Sequence, residues 1–392
     1  MTAISRRHLV RRIAAGAAAA AVPSLTDPRL AAALGIEPPA AGASAAGGLV
    51  RLNRNENAFG PSAKVMATVL ETARQLANRY ADLESEALRD RIARFHGVAP
   101  DQVVLGCGST EILRIAADAF AGPGRKMILA LPTFDAMSRF ARRAGAGVVA
   151  VPLSPGYAHD LSAMLERADA TTGLVYVCNP NNPTGTLTRR RDMETFIRQL
   201  PDTTRVLIDE AYHHYVGESS DYASFIDRPL DDSRVIVARS FSKIHGLAGL
   251  RVGYAIAARE TARTLAAGRV SDGVNVVAAL AAAAAFDDSE HVWTSARRNV
   301  DDRQEFVNQA NARMLKTIDS QTNFVMLNTE RPAIDVVERF RRFNVLLAQP
   351  FPGFDTHVRV SIGTPAEMRD FWEIWDLAPV HHGESGRRAT AG

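Results

Sequence analysis

The chain has only four lysines, at positions 64, 126, 243 and 316, among 46 basic residues. Where arginine supplies almost all the positive charge, a retained lysine raises the question of what arginine cannot do. A guanidinium neither condenses with an aldehyde nor gives up its proton near neutrality, whereas an amine does both when its surroundings lower its pKa. Lys64, Lys126 and Lys316 read as surface residues. Lys243 stands in Ser240-Phe241-Ser242-Lys243, followed by Gly246-Leu247-Ala248-Gly249-Leu250-Arg251. Asp209-Glu210-Ala211-Tyr212 offers a carboxylate at the end of an apolar run, and for Asp209 a helix cap or a surface acid stays open beside a ligand role. Asn179-Pro180-Asn181-Asn182-Pro183-Thr184-Gly185 combines a backbone fixed by two prolines with three amides, more specialised residues than a turn needs. Gly106-Cys107-Gly108-Ser109-Thr110 combines close backbone approach with the free N–H groups of a helix start, which suits an anion, although a tight strand-to-helix turn accounts for it equally well. It is neither a dinucleotide fingerprint nor a Walker loop.

These clusters need a scaffold that brings them to one rim. Short runs rich in Val, Ile and Leu predict strands over Val103–Leu105, Met127–Leu131, Val148–Pro152, Leu174–Cys178, Arg205–Ile208, Val235–Arg239 and Gly253–Ala257. Helix-periodic stretches alternate with them over Glu111–Phe120, Phe134–Ala144 and Met193–Leu200. The alternation predicts an α/β fold with a mostly parallel sheet. In such sheets ligands bind beyond the carboxyl ends of the strands, where all four clusters fall. From about Asn275 the order changes. Val274–Phe286 reads as a buried helix and Arg297–Leu315 as a long amphipathic one. Strands over Asn323–Leu327, Val345–Leu347 and Val358–Ser361 follow, giving a second, smaller α+β unit.

Taken in order, the clusters resemble the fold-type I pyridoxal-phosphate (PLP) enzymes, specifically the class I/II aminotransferases. The resemblance runs from Leu49 to Leu377. It includes Asn55-Glu56-Asn57 with Gly60-Pro61-Ser62, Pro132-Thr133-Phe134, and Arg359 to Thr364. Tyr80 to Asp82 and the Gly246–Arg251 run resemble the histidinol-phosphate aminotransferase-like branch. The resemblance implies a large domain with a seven-stranded, mostly parallel sheet in an α/β/α sandwich, plus a small α+β domain. It implies that Lys243 bonds covalently to PLP and moves the substrate's α-proton, that Asp209 pairs with the pyridine nitrogen, and that Asn182 and Tyr212 bond the ring's 3-oxygen. Phe134 would stack on the ring. Gly108, Ser109, Thr110, Ser240 and Arg251 would hold the phosphate, joined by Tyr80 from the partner subunit of a homodimer. Arg359 would take the substrate α-carboxylate. The implied reaction exchanges an amino group between an amino donor and a 2-oxo acid, while decarboxylation, racemisation and oxidation on the same scaffold stay open.

Departures from that branch bear on the substrate. The stretch Val345 to Gly353 lacks the arginine that helps true histidinol-phosphate aminotransferases bind the substrate phosphate. Asn57 stands where an aromatic residue often follows Asn-Glu, with Phe59 nearby. A donor other than histidinol phosphate is therefore the main expectation, with histidinol phosphate as the alternative and Asn57 and Phe59 as candidate substrate contacts. Adjacent His213 and His214 would point to opposite faces of a strand, so no metal site is expected there. Cys107 and Cys178 are expected as free thiols.

The charge of the chain is concentrated at its front. Net charge is +3 and the sequence pI about 9.0, but residues 1–46 hold five arginines against two acids, and the rest balances at 41 of each sign. Ser5-Arg6-Arg7-His8-Leu9 precedes an uncharged, alanine-rich run from Ile13 to Thr26 that is too short to span a bilayer as a helix. It resembles a twin-arginine signal, which predicts recognition by the twin-arginine export machinery and a periplasmic or otherwise exported mature enzyme. Without that leader nothing draws the protein to nucleic acid or a membrane. The expected division is a leader over 1–46, an arm with part of the small domain over 47–83, the PLP-binding domain over 84–270, the small domain over 271–378 and a tail over 379–392. A 46% hydrophobic and 23% charged composition excludes disorder, collagen and a disulfide scaffold as overall classes.

Overall fold

The structure, a computed structural model, describes residues 48–377. The leader over 1–46 and the tail over 379–392 lie outside them. The twelve strands among these residues are β1 (Val50–Leu52), β2 (Val103–Gly106), β3 (Lys126–Leu131), β4 (Gly147–Pro152), β5 (Thr172–Cys178), β6 (Arg205–Asp209), β7 (Val235–Ser240), β8 (Gly253–Ala257), β9 (Lys316–Thr317), β10 (Phe324–Asn328), β11 (Val345–Leu347) and β12 (His357–Ser361). Seven form one sheet in the order β2-β8-β7-β6-β5-β3-β4. All its pairings are parallel except the two made by β8.

Alternation along these strands sorts the apolar residues onto two faces, each covered by helices. Val175, Val177, Val206 and Ile208 face one layer, which draws on helices α1 (Ala63–Leu76) and α2 (Asp82–His96). Leu174, Tyr176, Cys178 and Leu207 face the other, covered chiefly by α3 (Ser109–Phe120) and α4 (Ala136–Arg143). The first layer also takes α5 (Leu161–Glu166) and α6 (Arg190–Gln199), and the second takes α7 (Arg259–Ala267). Strands buried on both faces explain why the sheet reads as unbroken apolar runs. Helix α8 (Val276–Phe286) packs into the first layer and against α1. Its alanines leave room for a close approach, and Asn275 caps it by accepting from the Ala278 N–H. The sequence reading assigned this helix to the smaller unit, beyond a boundary at 270. Its packing puts it with the sheet instead.

The smaller unit gathers α9 (Ser289–Ala312), α10 (Ala333–Arg342) and α11 (Pro365–Asp376) around Phe306, Phe340, Phe371 and Trp372. Its strands form an antiparallel sheet β12-β10-β9 and a separate parallel pair β1-β11. Helix α9 starts eight residues before the expected Arg297, because the Asp288 carboxylate accepts the His291 N–H and caps a more N-terminal turn. It stops short of Leu315, where Met314 takes a positive φ of 58°. No described helix is long and apolar enough to cross a membrane.

Candidate active site

The carboxyl ends of β5, β6 and β7 deliver Asn179–Gly185, Asp209–Tyr212 and Ser240–Lys243 to one rim. The N-terminal segment then crosses that rim. After β1 the chain turns at Asn55, whose φ is 54°, a conformation asparagine tolerates better than most residues. Lys243 Nζ donates to the carbonyl oxygens of Arg54 (3.0 Å) and Asn55 (3.1 Å). Burial first, and then the Arg359 guanidinium, pull the Lys243 amine down to about 7. An amine in that range is deprotonated in good part at neutral pH and can act as base or nucleophile.

Asp209 is 4% exposed. Its Oδ2 accepts from the Tyr176 hydroxyl at 3.0 Å and its Oδ1 from the Ala211 N–H at 3.1 Å. Burial raises its pKa to about 6 against the opposing hydrogen bond from Tyr176. Tyr212 accepts at its hydroxyl from Asn55 Nδ2 (2.9 Å) and Asn182 Nδ2 (3.5 Å), so the phenolic proton itself is not used between these partners. Burial holds that phenol well above its ordinary range.

Arg359, on β12, is 8% exposed and has no carboxylate of the described residues within ion-pair distance. It donates to Asn182 Oδ1 and, at 2.8 Å, to the Asn53 carbonyl, while its buried Nε–H has no partner. Phe324 and Phe351 lie 5.3 and 5.1 Å from the guanidinium carbon. A buried cation without a counter-charge is costly unless an anion joins it, so this is an anion site in waiting.

At the opposite edge, Gly108 caps α3 with a φ of 74°, and a Cβ there would lie 2.3 Å from Arg251 Nη2. A Cβ on Gly253 would lie 2.4 Å from the Ser109 amide nitrogen. The two glycines thus leave a guanidinium and the first amides of a twelve-residue helix mutually accessible. Arg251 donates to Ser242 Oγ and the Ala248 carbonyl but to no carboxylate. Ser240 Oγ accepts the Ser242 N–H. Phe134 lies partly buried against the second apolar layer.

Other expected residues are placed differently. Asn57 donates to the Ile244 carbonyl, next to Lys243, and accepts the Phe59 N–H, which ties its own turn to the lysine loop. Phe59 is covered by the Arg298 guanidinium, 4.3 Å from its ring centre. Tyr80 is 78% exposed. His213 and His214 lie in a short 3-10 turn, not a strand, so their rings meet edge-on at 5.0 Å instead of facing apart. Cys107 and Cys178 are free. Two contributors were missed. Asn55 was legible only as part of a motif. Tyr176 was hidden inside an apolar strand, although alternation alone puts it on the face of Cys178 and, across the register, of Asp209.

The sequence pattern of the family described as aminotransferase class I and II matches residues 48–374. The chain belongs to that family. The histidinol-phosphate aminotransferase of Symbiobacterium thermophilum is 36% identical over 333 residues, 84% of this chain and 90% of that protein. That of Bacillus subtilis strain 168 is 34% identical over 327 residues, 83% and 90% of the two chains. The crystal structure of histidinol-phosphate aminotransferase from Sinorhizobium meliloti in complex with pyridoxal-5'-phosphate superposes with a TM-score of 0.79 at 27% identity, covering 84% of this chain and 92% of that one. The protein is therefore a PLP-dependent aminotransferase of fold type I. Its rim fits the cofactor: a buried carboxylate suits a ring N–H, an amine near neutrality suits an aldehyde, and the arginine beside the helix start suits a phosphate monoester.

Proposed function

We propose that this aminotransferase takes its amino group from a donor bearing an α-carboxylate, passes it to a 2-oxo acid, and works as an exported homodimer. The observation that carries the substrate reading is Arg359, buried with no ion-paired carboxylate among the described residues at the rim that holds Lys243. An incoming carboxylate replaces Asn182 Oδ1 and the Asn53 carbonyl as the partner of two parallel N–H groups.

When bound, PLP supplies an aldehyde for covalent attachment and a ring that draws off electron density from the substrate's α-carbon. The chain's own residues do the rest. Arg251, the Ser109 and Thr110 amides, Gly108 and Ser240 hold the phosphate. Asp209 holds a proton on the ring nitrogen. Tyr212 directs its unused proton, and Asn182 its amide, toward the ring's 3-oxygen. Phe134 covers one ring face. Lys243 Nζ, with its pKa near 7, accepts the α-proton and returns it on the other side of the transfer. Exposed Tyr80 reaches the phosphate of the neighbouring subunit.

The stretch Val345 to Gly353 has no arginine to meet a substrate phosphate, and Phe351 lies against Arg359. Both support a donor without a phosphate. The second reading, histidinol phosphate itself, is favoured by the names of the relatives. That compound carries a phosphate ester in place of a carboxylate. A donor screen on leader-free protein, followed by the absorbance change of the bound cofactor, separates the two. Amino acids are expected to convert the spectrum and histidinol phosphate to do so at least about ten-fold less efficiently; the reverse order sinks the first reading. For export, lysines in place of Arg6 and Arg7 are expected to retain the protein in the cytoplasm, and unchanged fractionation would refute it.

A further inference from the structure

We infer that Tyr176 is a positioning residue for Asp209, whose hydroxyl holds that carboxylate ionised and in one orientation toward the cofactor's ring nitrogen. The inference rests on the reading that Asp209 pairs with that nitrogen.

Tyr176 lies in the middle of β5, a strand whose other side chains are mostly apolar. It is fully buried, and burying a phenol there needs a partner for its O–H. The partner is set by register. Tyr176 pairs across β6 with Leu207, and Cys178 with Asp209, so Tyr176 and Asp209 share one face of the sheet, one step apart along the strands. The phenol is long enough to reach diagonally, and its Oη lies 3.0 Å from Asp209 Oδ2. The Ala211 N–H fixes Oδ1 from the other side. The carboxylate therefore cannot rotate without breaking one of two bonds made by rigid backbone and a buried ring.

The same bond governs charge. Groups around Asp209 act in both directions: Lys243 favours its ionised form, while Glu210 opposes it and the nearby thiol of Cys178 and phenol of Tyr212 lie close enough to feel its charge. Glu210 is turned toward Arg239 and Ser224 instead of the rim. Against burial, the Tyr176 hydrogen bond is the largest effect keeping Asp209 ionised. Tyr176 stays a donor throughout, because burial and then the Asp209 charge push its own phenol well above its ordinary range. Remove the hydroxyl, and a buried carboxylate becomes more basic; the proton it shares with the ring nitrogen moves toward the carboxylate. No covalent bond changes, only the position of that proton.

The test reads the proton directly, in holoenzyme carrying PLP labelled with 15N in the ring. In wild type the ring nitrogen resonates as protonated at pH 7–8. In Tyr176→Phe its resonance moves toward the unprotonated position, and kcat falls about ten-fold with KM changed less. Substituting a fluorinated tyrosine at 176, a stronger donor of the same shape, moves the resonance the opposite way and covers the case in which Tyr176→Phe fails to fold. Asp209→Asn abolishes ring protonation. If Asp209→Asn moves the signal while neither Tyr176 variant does, the inference about Tyr176 is overturned and the site reading stands. If Asp209→Asn leaves it unmoved, the site reading itself has failed.

Discussion

Asp209 and Glu210 are neighbours in sequence, both buried, yet they belong to opposite kinds of region. Glu210 is closed off. Its Oε2 meets Arg239 at 3.1 Å and accepts from Ser224 at 2.6 Å, its Oε1 accepts the Phe225 N–H at 2.8 Å, and Arg239 reaches Asp227 as well. Every charge there has a partner inside the chain. One residue earlier, Asp209 has neutral donors only, Lys243 leans on two carbonyls, and Arg359 forms no ion pair among the described residues. Satisfied charge is structure, whereas a buried charge left open is a place for something to bind.

The widest gap between the two regions should come from Lys243→Ala. It is expected to lower turnover by about a thousand-fold or more and to remove the visible absorbance of covalently attached cofactor, while chemical denaturation stays near wild type. Persistence of that absorbance would end the assignment. Glu210→Gln tests the other region. Leaving buried Arg239 with Asp227, at 3.4 Å, as its remaining counter-charge should cost about 1–3 kcal/mol in a urea titration, with kcat of the folded fraction little changed. Asp209→Asn should reverse that sign in cofactor-free protein. Its raised folded pKa means that burying the charge destabilises the empty protein fully above about pH 6, and the penalty fades as pH falls from 6 toward 3.8. The neutral amide is expected to stabilise the empty protein by about 1–3 kcal/mol at pH 7.5. If both neighbours destabilise alike, the distinction collapses.

The smallest effect concerns the histidines around the closed pair. Burial lowers His96 to about 4, His213 to about 2 and His245 to about 3, with Arg239 adding to each. Neutral in the folded protein and protonated in the unfolded one below pH 6.5, they contribute stability above 6.5 that is lost as pH falls toward their folded values. The unfolding free energy should fall by about 1 kcal/mol per pH unit for each such group at most. His245→Gln should flatten the slope; an unchanged slope would show that the cluster does not report on burial.

How much of this was legible beforehand follows from what each signal depends on. All seven strands of the main sheet were readable; in the central ones, such as Leu174–Cys178, burial on both faces leaves unbroken apolar runs. The order of clusters at their carboxyl ends was readable for the same reason. The affiliation of α8 was not, since an all-alanine face fits a sheet or a bundle equally well. The tie from Asn57 to the lysine loop was not legible, because its partner, the Ile244 carbonyl, is a backbone group 187 residues away. Arg359 was legible by motif, but its missing counter-charge belongs to three dimensions only.

The parallel pairing of β1 with β11 carries a consequence in time. Val50 leaves the ribosome about 295 residues before Val345, its partner, a delay of roughly 15–60 s at ordinary rates of synthesis. The turn that follows β1 carries the carbonyls that Lys243 holds, and Arg359 is made later still. The large sheet can therefore be complete while the rim is still unfinished. The catalytic pocket cannot close before Arg359 has been made, long after β1 and the turn that follows it.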